Sequence, residues 1–295
     1  PRGGWQGGRM TYRSWWAAGL LCSCLVACIS SAPPPATHAE ASVEGALAKA
    51  QPVPATRIVT ELAPTGVLRV GVYPGSPTSW VQLPGNGGSA GVAFDLGHAL
   101  AARLGVPVRV VEYPRVADIV EALQRQDVDF TFTNASAARA RVVDFTPPLI
   151  RLELGVLVSP TSSVNTFNQV DRPGLRVGVT QGSSSQAVLR QRFKHAQVVP
   201  LASLASARQA LLSGEVDVYA TNKGILFELQ QQLPGFRVLD DRWGLEQLAV
   251  AIPQGRSAGL AFVQHWVTQE LAPGTVSRMA TRAGLQGLAR DGSPN

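Results

Sequence analysis

A two-lobed α/β architecture is predicted by three features of this sequence. The string "LRVGV" occurs at residues 68–72 and again at 175–179, running on as "YPGS" in the first copy and "TQGS" in the second. After each copy, β-branched runs alternate with helix-like stretches, the pattern of a largely parallel sheet flanked by helices. Each series then ends on a similar strand, "VDFTFTN" or "VDVYATN", closed by Thr-Asn.

The elements follow in order. A Gly/Pro loop after the first copy leads into the helix "FDLGHALAARLG". Asp95 is its expected N-cap, Leu96, Leu100 and Leu104 its apolar stripe, and Gly105 its stop. "VPVRVVEY" reads as a strand, "VADIVEALQRQ" as a helix and "VDFTFTN" as a strand. In the second half, a helix over residues 186–194 precedes the strand "AQVVPL", the helix "LASARQALLSG" and the strand "VDVYATN". Aligned on their ends, the two series match at Ala117 and Ala205, Ala122 and Ala210, Leu123 and Leu211, and Val128 and Val216. They match again at Asp129 and Asp217, Thr133 and Thr221, and Asn134 and Asn222. The two aspartates read as equivalent structural residues. Ligands of open α/β sheets sit beyond the carboxyl ends of the strands, so the Thr-Asn pairs are expected on opposite walls of one crevice.

The strand "LELGVLVSP" at residues 152–160 fits an outgoing crossing between lobes, and "LEQLAVAIPQG" at 245–255 fits the return. Helices from Ser257 to about residue 288 then rejoin the first lobe, with Phe262, Trp266 and Val267 as core. The expected division is a leader at 1–27, a tether at 28–64 and the first part of lobe one at 65–157. Lobe two follows at 158–246, and the return strand and C-terminal helices of lobe one at 247–290.

Composition narrows the function. A chain of 295 residues with 45% hydrophobic and 16% charged residues can bury a sizeable core. The formal charge is +6, but Arg2, Arg9 and Arg13 precede the apolar leader, which leaves the remainder near neutral. Basic runs interleaved with aromatics are absent, so nucleic acid is not an expected partner. Every cysteine lies in "LLCSCLVAC", which removes disulfides and cysteine metal sites from the rest of the chain. His38, His98, His195 and His265 have no ligand spacing, so neither a metal nor a cofactor is expected.

From Met10 onward, one basic residue, an apolar stretch and then small residues and prolines follow the order of an export signal; the residues ahead of Met10 read as an upstream extension. As a helix, residues 15–29 would span about 22 Å, short of the roughly 30 Å hydrocarbon core. The stretch ends on "LVAC", which resembles the bacterial lipobox; that implies cleavage before Cys28 and acylation of its thiol. Ordinary cleavage near residues 37–39 is the alternative. The Ala/Pro-rich segment that follows reads as a tether.

Across residues 67–288 the chain resembles the extracellular solute-binding proteins of ABC transporters, polar amino-acid type (family 3). The resemblance is carried by "GVLRVGV", "VAFDLGHALAARLGV", "IVEALQRQDVDFTFTNASAARARVVDFTPP", "LRVGVTQGSSS" and "LLSGEVDVYATN". It implies a periplasmic binding protein-like type II fold, two α/β lobes joined by a two-strand hinge. The implied protein is a periplasmic monomer, lipid-anchored, that carries a small polar carboxylate-bearing solute to a membrane permease. By resemblance Arg139 takes the family's arginine position, where a guanidinium can grip a carboxylate bidentately. Asn134 and Ser136 lie on the adjoining ligand loop, and Ser183 and Ser184 match the ligand-contacting serine or threonine of the second lobe.

Two departures bear on the ligand. Asn222 stands where members that bind α-amino acids place an aspartate, and Lys223 beside it has the opposite sign. The first-lobe aromatic is replaced by Ser76 and Ser79, so Trp80 is expected either as a shifted platform or as a surface-packed tryptophan. Two further classes are an enzyme on the same fold and a ligand-sensing module. The enzyme needs a poised acid or base, and the second-lobe loop offers only serines and Gln186.

Overall fold

The computed structural model describes residues 55–289; Cys28 and the expected leader lie outside the described residues. The chain enters through α1 (Thr56–Leu62) and β1 (Leu68–Val72). The hairpin of β2 (Val81–Gln82) and β3 (Ser89–Ala90) lies within the Gly/Pro loop. The first lobe continues with α2 (Val92–Leu104), β4 (Val108–Glu112), α3 (Val116–Gln124), β5 (Thr131–Asn134) and β6 (Val143–Phe145). The long strand β7 (Ile150–Val158) crosses over. The second lobe runs β8 (Arg176–Thr180), α4 (Ser184–Arg192), β9 (Gln197–Leu201), α5 (Leu204–Ser213), β10 (Val218–Asn222), α6 (Lys223–Gln232) and β11 (Arg237–Val238). Then β12 (Gly244–Pro253) returns the chain to α7 (Ser257–His265) and α8 (Thr275–Arg282).

Pairing explains how two lobes form from one sheet system. In lobe one, β4 pairs with β1 in parallel, β1 touches β5 through a Val70–Phe130 bridge, and β5 pairs antiparallel with β12. In lobe two, β9, β8 and β10 run in parallel and β10 pairs antiparallel with β7. The crossing strands meet each other where Gly244 to Leu248 face Leu154 to Ile150. That antiparallel stretch is the hinge. Pro200 sits in β9, an outer strand, where a missing N–H does least damage.

Each half of the repeat is locked by the same clamp. Arg69 of the first "LRVGV" donates from its backbone N–H and from Nε and Nη2 to the Asp129 carboxylate, at 3.0, 2.8 and 2.8 Å. Arg176 of the second copy repeats the arrangement on Asp217, at 2.7, 3.1 and 2.8 Å. Glycine inside each copy is needed for close packing. A Cβ on Gly71 would meet Ile119 at 2.6 Å, and one on Gly178 would meet Leu201 at 2.9 Å.

Two boundaries differ from expectation. Residues 56–62 were expected to be tether but form α1, with Leu62 fully buried and Ile58 and Val59 packed on the lobe-one core. Glu61 also accepts a 2.8 Å hydrogen bond from the Gly259 N–H, satisfying an orphan donor at the start of α7. Asp95 is not the N-cap of α2, which starts at Val92. The N–H groups of Val92, Ala93 and Phe94 instead donate to the Pro77, Thr78 and Ser79 carbonyls of the Gly/Pro loop. Asp95 is left buried in the first turn, beside Arg282.

Lys223, Glu153 and Arg242 form an ionic cluster at the hinge. Lys223 Nζ donates to Glu153 at 2.8 Å and to the Asp240 carbonyl at 2.7 Å, while Arg242 reaches the other Glu153 oxygen at 3.1 Å. Burial works to raise the Glu153 carboxyl, but hydrogen bonds and charge from Lys223 and Arg242 outweigh it and hold it below its ordinary value of 4.5. A carboxyl depressed by folding contributes stability above its unfolded value and loses that contribution as pH falls through the folded one. Acid denaturation followed below pH 4.5 should therefore be shallower in Glu153→Gln than in the parent chain.

Candidate functional site

The carboxyl ends of β1 and β5 face those of β8 and β10 across a narrow cleft lined by both lobes. Lobe one contributes Tyr73, Arg115, Thr133, Asn134 and Arg139 to its lining. Lobe two contributes Thr180, Ser183, Ser184, Thr221 and Asn222, and the return strand adds Glu246. The lobes touch beside the cleft. A Cβ on Gly182, whose φ is +73, would lie 2.5 Å from the Ala117 Cβ of α3. Tyr73 packs at once on the α3 core of lobe one and the α5–α6 core of lobe two.

Arg139 sits in a single helical turn, Arg139–Arg141, between β5 and β6. Its Nη1 donates to Thr133 Oγ1 at 2.8 Å and to the Asn134 carbonyl at 3.4 Å. Among the described residues no carboxylate lies within ion-pair distance of it. Burial pushes the guanidinium below its ordinary value, and the fields of Glu246 and Tyr73 pull it back. Most of its five donors thus remain available to something in the cleft.

The serines divide their work. Ser183 caps α4, its Oγ accepting from the Gln186 N–H at 3.1 Å, while Ser184 Oγ donates to Glu246 Oε1 at 2.9 Å. Because residues 183–185 line the cleft, the orphan N–H groups of the first turn of α4 stand at its wall. Asn222 caps α6 through its Oδ1, which accepts from the Ile225 N–H at 3.1 Å, and its Nδ2 donates to Glu246 Oε2 at 3.1 Å. Asn134, its repeat partner, accepts from the Gln247 N–H at 3.0 Å. The two Thr-Asn ends therefore grip adjacent residues of the return strand from opposite lobes.

Arg139, Asn134, Ser183, Ser184 and Asn222 are brought together; Ser136 and Trp80 are not. Ser136 is not among the residues lining the cleft; its Oγ accepts from the Arg139 N–H at 3.4 Å and so shapes the turn. Trp80 packs on the lobe-one core, held by the Gly75 and Ser76 N–H groups on its carbonyl, and the aromatics lining the cleft are Tyr73 and Phe132. Burial raises the Tyr73 hydroxyl above its ordinary value. Its position directly after the first "LRVGV" was the available signal, since that is where β1 must end. Two charges also lie differently from expectation. Lys223 turns away from the cleft to Glu153, and Glu246, 7% exposed, brings in a carboxylate that neither loop supplies.

The profile of bacterial extracellular solute-binding proteins, family 3, matches residues 68–282. A glutamine-binding protein of Geobacillus stearothermophilus is 23% identical over 199 residues, covering 66% of this chain and 76% of that protein. An ABC transporter glutamine-binding protein of Bacillus subtilis (strain 168) is 22% identical over 182 residues, covering 60% of this chain and 66% of that one. Among solved structures, the ancestral amino acid-binding protein AncCDT-1, a precursor of cyclohexadienyl dehydratase, superposes with a TM-score of 0.65. It is 25% identical and covers 76% of this chain and 98% of that one. Among the described residues no helix is long and apolar enough to cross a membrane.

Proposed function

This chain belongs to the bacterial extracellular solute-binding proteins, family 3, and from that premise we propose that it captures a small carboxylate-bearing solute for an ABC transporter. The solute would be enclosed as the lobes close about β7 and β12. The single observation that carries this is Arg139, a half-buried, cleft-lining arginine left without an acidic partner among the described residues. Its free donors suit a ligand carboxylate, and the N-terminus of α4 faces it from the other lobe. In this reading Thr133 and Asn134 hold the arginine, Ser136 sets its turn and Tyr73 supplies the apolar wall. The protein works outside the cytoplasm as a monomer, acylated at Cys28 and docking on a membrane permease through its closed form.

A second reading, an enzyme on the same scaffold, is favoured only by Glu246, a carboxylate in the cleft. Both of its oxygens already accept hydrogen bonds, which suits a binding group better than a proton donor. Turnover of any bound acid would select this reading.

The test is a thermal-shift screen across amino acids, dicarboxylates and aromatic acids. A bound solute stabilises the fold by mass action, by about 2.7 kcal/mol at a hundredfold excess over Kd. Arg139→Ala should abolish the shift with the unliganded Tm intact; an unchanged shift rules the clamp out. Closure has its own check. Ala117→Leu puts bulk against Gly182, where the lobes meet, and should weaken binding by roughly 1–3 kcal/mol by calorimetry without lowering unliganded stability. Unaltered affinity would mean that the lobes need not meet there.

A further inference from the structure

We propose that residues 285–289, which follow α8, are a latch on the hinge. They hold the start of α6 against lobe one and so position the second-lobe wall of the cleft. The proposal rests on the reading that the lobes close about β7 and β12, and it is independent of what the cleft holds.

The segment turns out of α8 at Gly284, whose φ is +72, and Leu285 donates its N–H back to the Ala280 carbonyl at 2.8 Å. The Leu285 side chain is 8% exposed and belongs to the lobe-one core. The chain then runs beside the hinge. The Gly287 carbonyl accepts from the Glu153 N–H at 2.9 Å, and the Ala289 N–H donates to the Arg151 carbonyl at 2.9 Å. Leu288 faces Leu152 in an antiparallel bridge. Leu152 and Leu154 both have β12 on one side; on the other, Leu154 has β10 and Leu152 has this segment. A third run of chain thus lies on the crossing strand, directly before lobe two begins.

Two glycines let the segment touch α6. A Cβ on Gly287, whose φ is +81, would overlap the Lys223 Cβ. A Cβ on Gly224 would lie 2.5 Å from Leu285 Cδ1. Gly224 is the more telling of the two, because its φ is not in the left-handed region and it sits inside a helix. Glycine there weakens a helix relative to alanine, so its backbone gains nothing from being glycine. The space taken by Leu285 is what calls for it.

Leu285 moves with lobe one and Gly224 with lobe two, so rotation about β7 and β12 changes their separation. The arrangement in which they fit is the closed one. Across the seam, a Cβ on Gly75 would meet Leu204 at 3.4 Å and one on Gly182 would meet Ala117 at 2.5 Å. Close-packed contacts of this kind favour one discrete arrangement over its neighbours. The effect reaches the cleft by a short route. Asn222, which lines the cleft and caps α6, is joined to Lys223, and Lys223 Nζ holds the Glu153 whose N–H holds Gly287.

The experiment reads the lobes in the ligand-free full chain carrying Cys22→Ser, Cys24→Ser and Cys28→Ser. Spin labels on Gln124→Cys of α3 and Gln209→Cys of α5, both exposed, report the ratio of open to closed separations by double electron–electron resonance. Gly224→Ala should raise that ratio roughly 5- to 150-fold, the range for overpacking a close contact. Its Tm should be unchanged or raised, since alanine is the better helix former. Leu285→Val removes the Cδ1 that the new methyl meets and keeps an apolar side chain in the lobe-one core. The Gly224→Ala/Leu285→Val double variant should therefore return toward the parent ratio. An unchanged ratio in Gly224→Ala overturns the latch. So does a raised ratio that the double variant fails to lower, which would place the effect on Asn222 Oδ1, 3.4 Å from the new methyl. Should Gly224→Ala not fold, Leu285→Val alone decides: a raised ratio supports the latch and the parent ratio overturns it. Affinity for the amino acids, dicarboxylates and aromatic acids of the thermal-shift screen should fall as the ratio rises, because a solute that binds the closed form loses affinity with that population. A screen without a binder would remove the reading of the cleft, and the label distances would still decide the latch.

Discussion

Asp129→Asn should cost about 3–5 kcal/mol of stability, the range for breaking a buried ion pair by removing one partner. The Asp129 side chain is 0% exposed and accepts from Arg69 and, at 2.9 Å, from Arg256 Nη1. Arg256 is itself buried and already has an unpartnered Nη2. A neutral amide cannot compensate two guanidinium groups, and one of them would stay enclosed and uncompensated. The equivalent change in lobe two is the internal control. Among the described residues Asp217 forms an ion pair with Arg176 alone, and their side chains are 34% and 40% exposed, so solvent screens the pair. Asp217→Asn should cost no more than about 1 kcal/mol. Chemical denaturation of both variants checks the contrast, and equal losses would show that the motif rather than its burial sets the energy.

Arg139→Ala should weaken carboxylate binding by about 2–5 kcal/mol, the cost of truncating one side of a buried hydrogen-bonded charge pair. Its effect on the unliganded protein has the opposite character to that of Asp129. Among the described residues Arg139 has no acidic partner to orphan, and its half-buried guanidinium carries a desolvation cost, so its removal should leave the unliganded Tm unchanged or raised. Arg139→Lys separates charge from geometry. A lysine keeps the positive charge but loses the planar fork, so its affinity should fall between those of the parent and the alanine variant. Calorimetry with the strongest acid from the screen measures both. Equal affinity in lysine and parent would remove the bidentate grip from the account.

The repeat was legible because it is written in backbone requirements. The glycine of each "LRVGV" exists because a side chain above it leaves no room, and its arginine exists because the following "VD" returns a carboxylate one strand away. Such constraints appear at fixed spacing and survive in a single sequence. The crossing strands were legible for a similar reason, as long apolar runs flanked by turn residues.

What escaped was the facing of individual side chains. Lys223 and Glu246 are both charged residues at element ends, and nothing local says which one looks into the cleft. That is decided by the register of β12 against β7 and β5, and by the pull of Glu153 on the lysine. Asp95 has the composition of an N-cap, but tertiary contact overrode it, since loop carbonyls had already taken the free N–H groups. The short α1 was hidden inside an Ala/Pro-rich stretch, because seven residues are too few for a clear period and its packing surface lies far along the chain.

The most direct measurement is a crystal structure with the acid that gives the largest thermal shift. The account requires its carboxylate within hydrogen-bonding distance of the Arg139 guanidinium, with Ser184 and Asn222 on the far side of the same molecule. A solute held by one lobe alone, with Arg139 making no contact to it, would contradict the account outright.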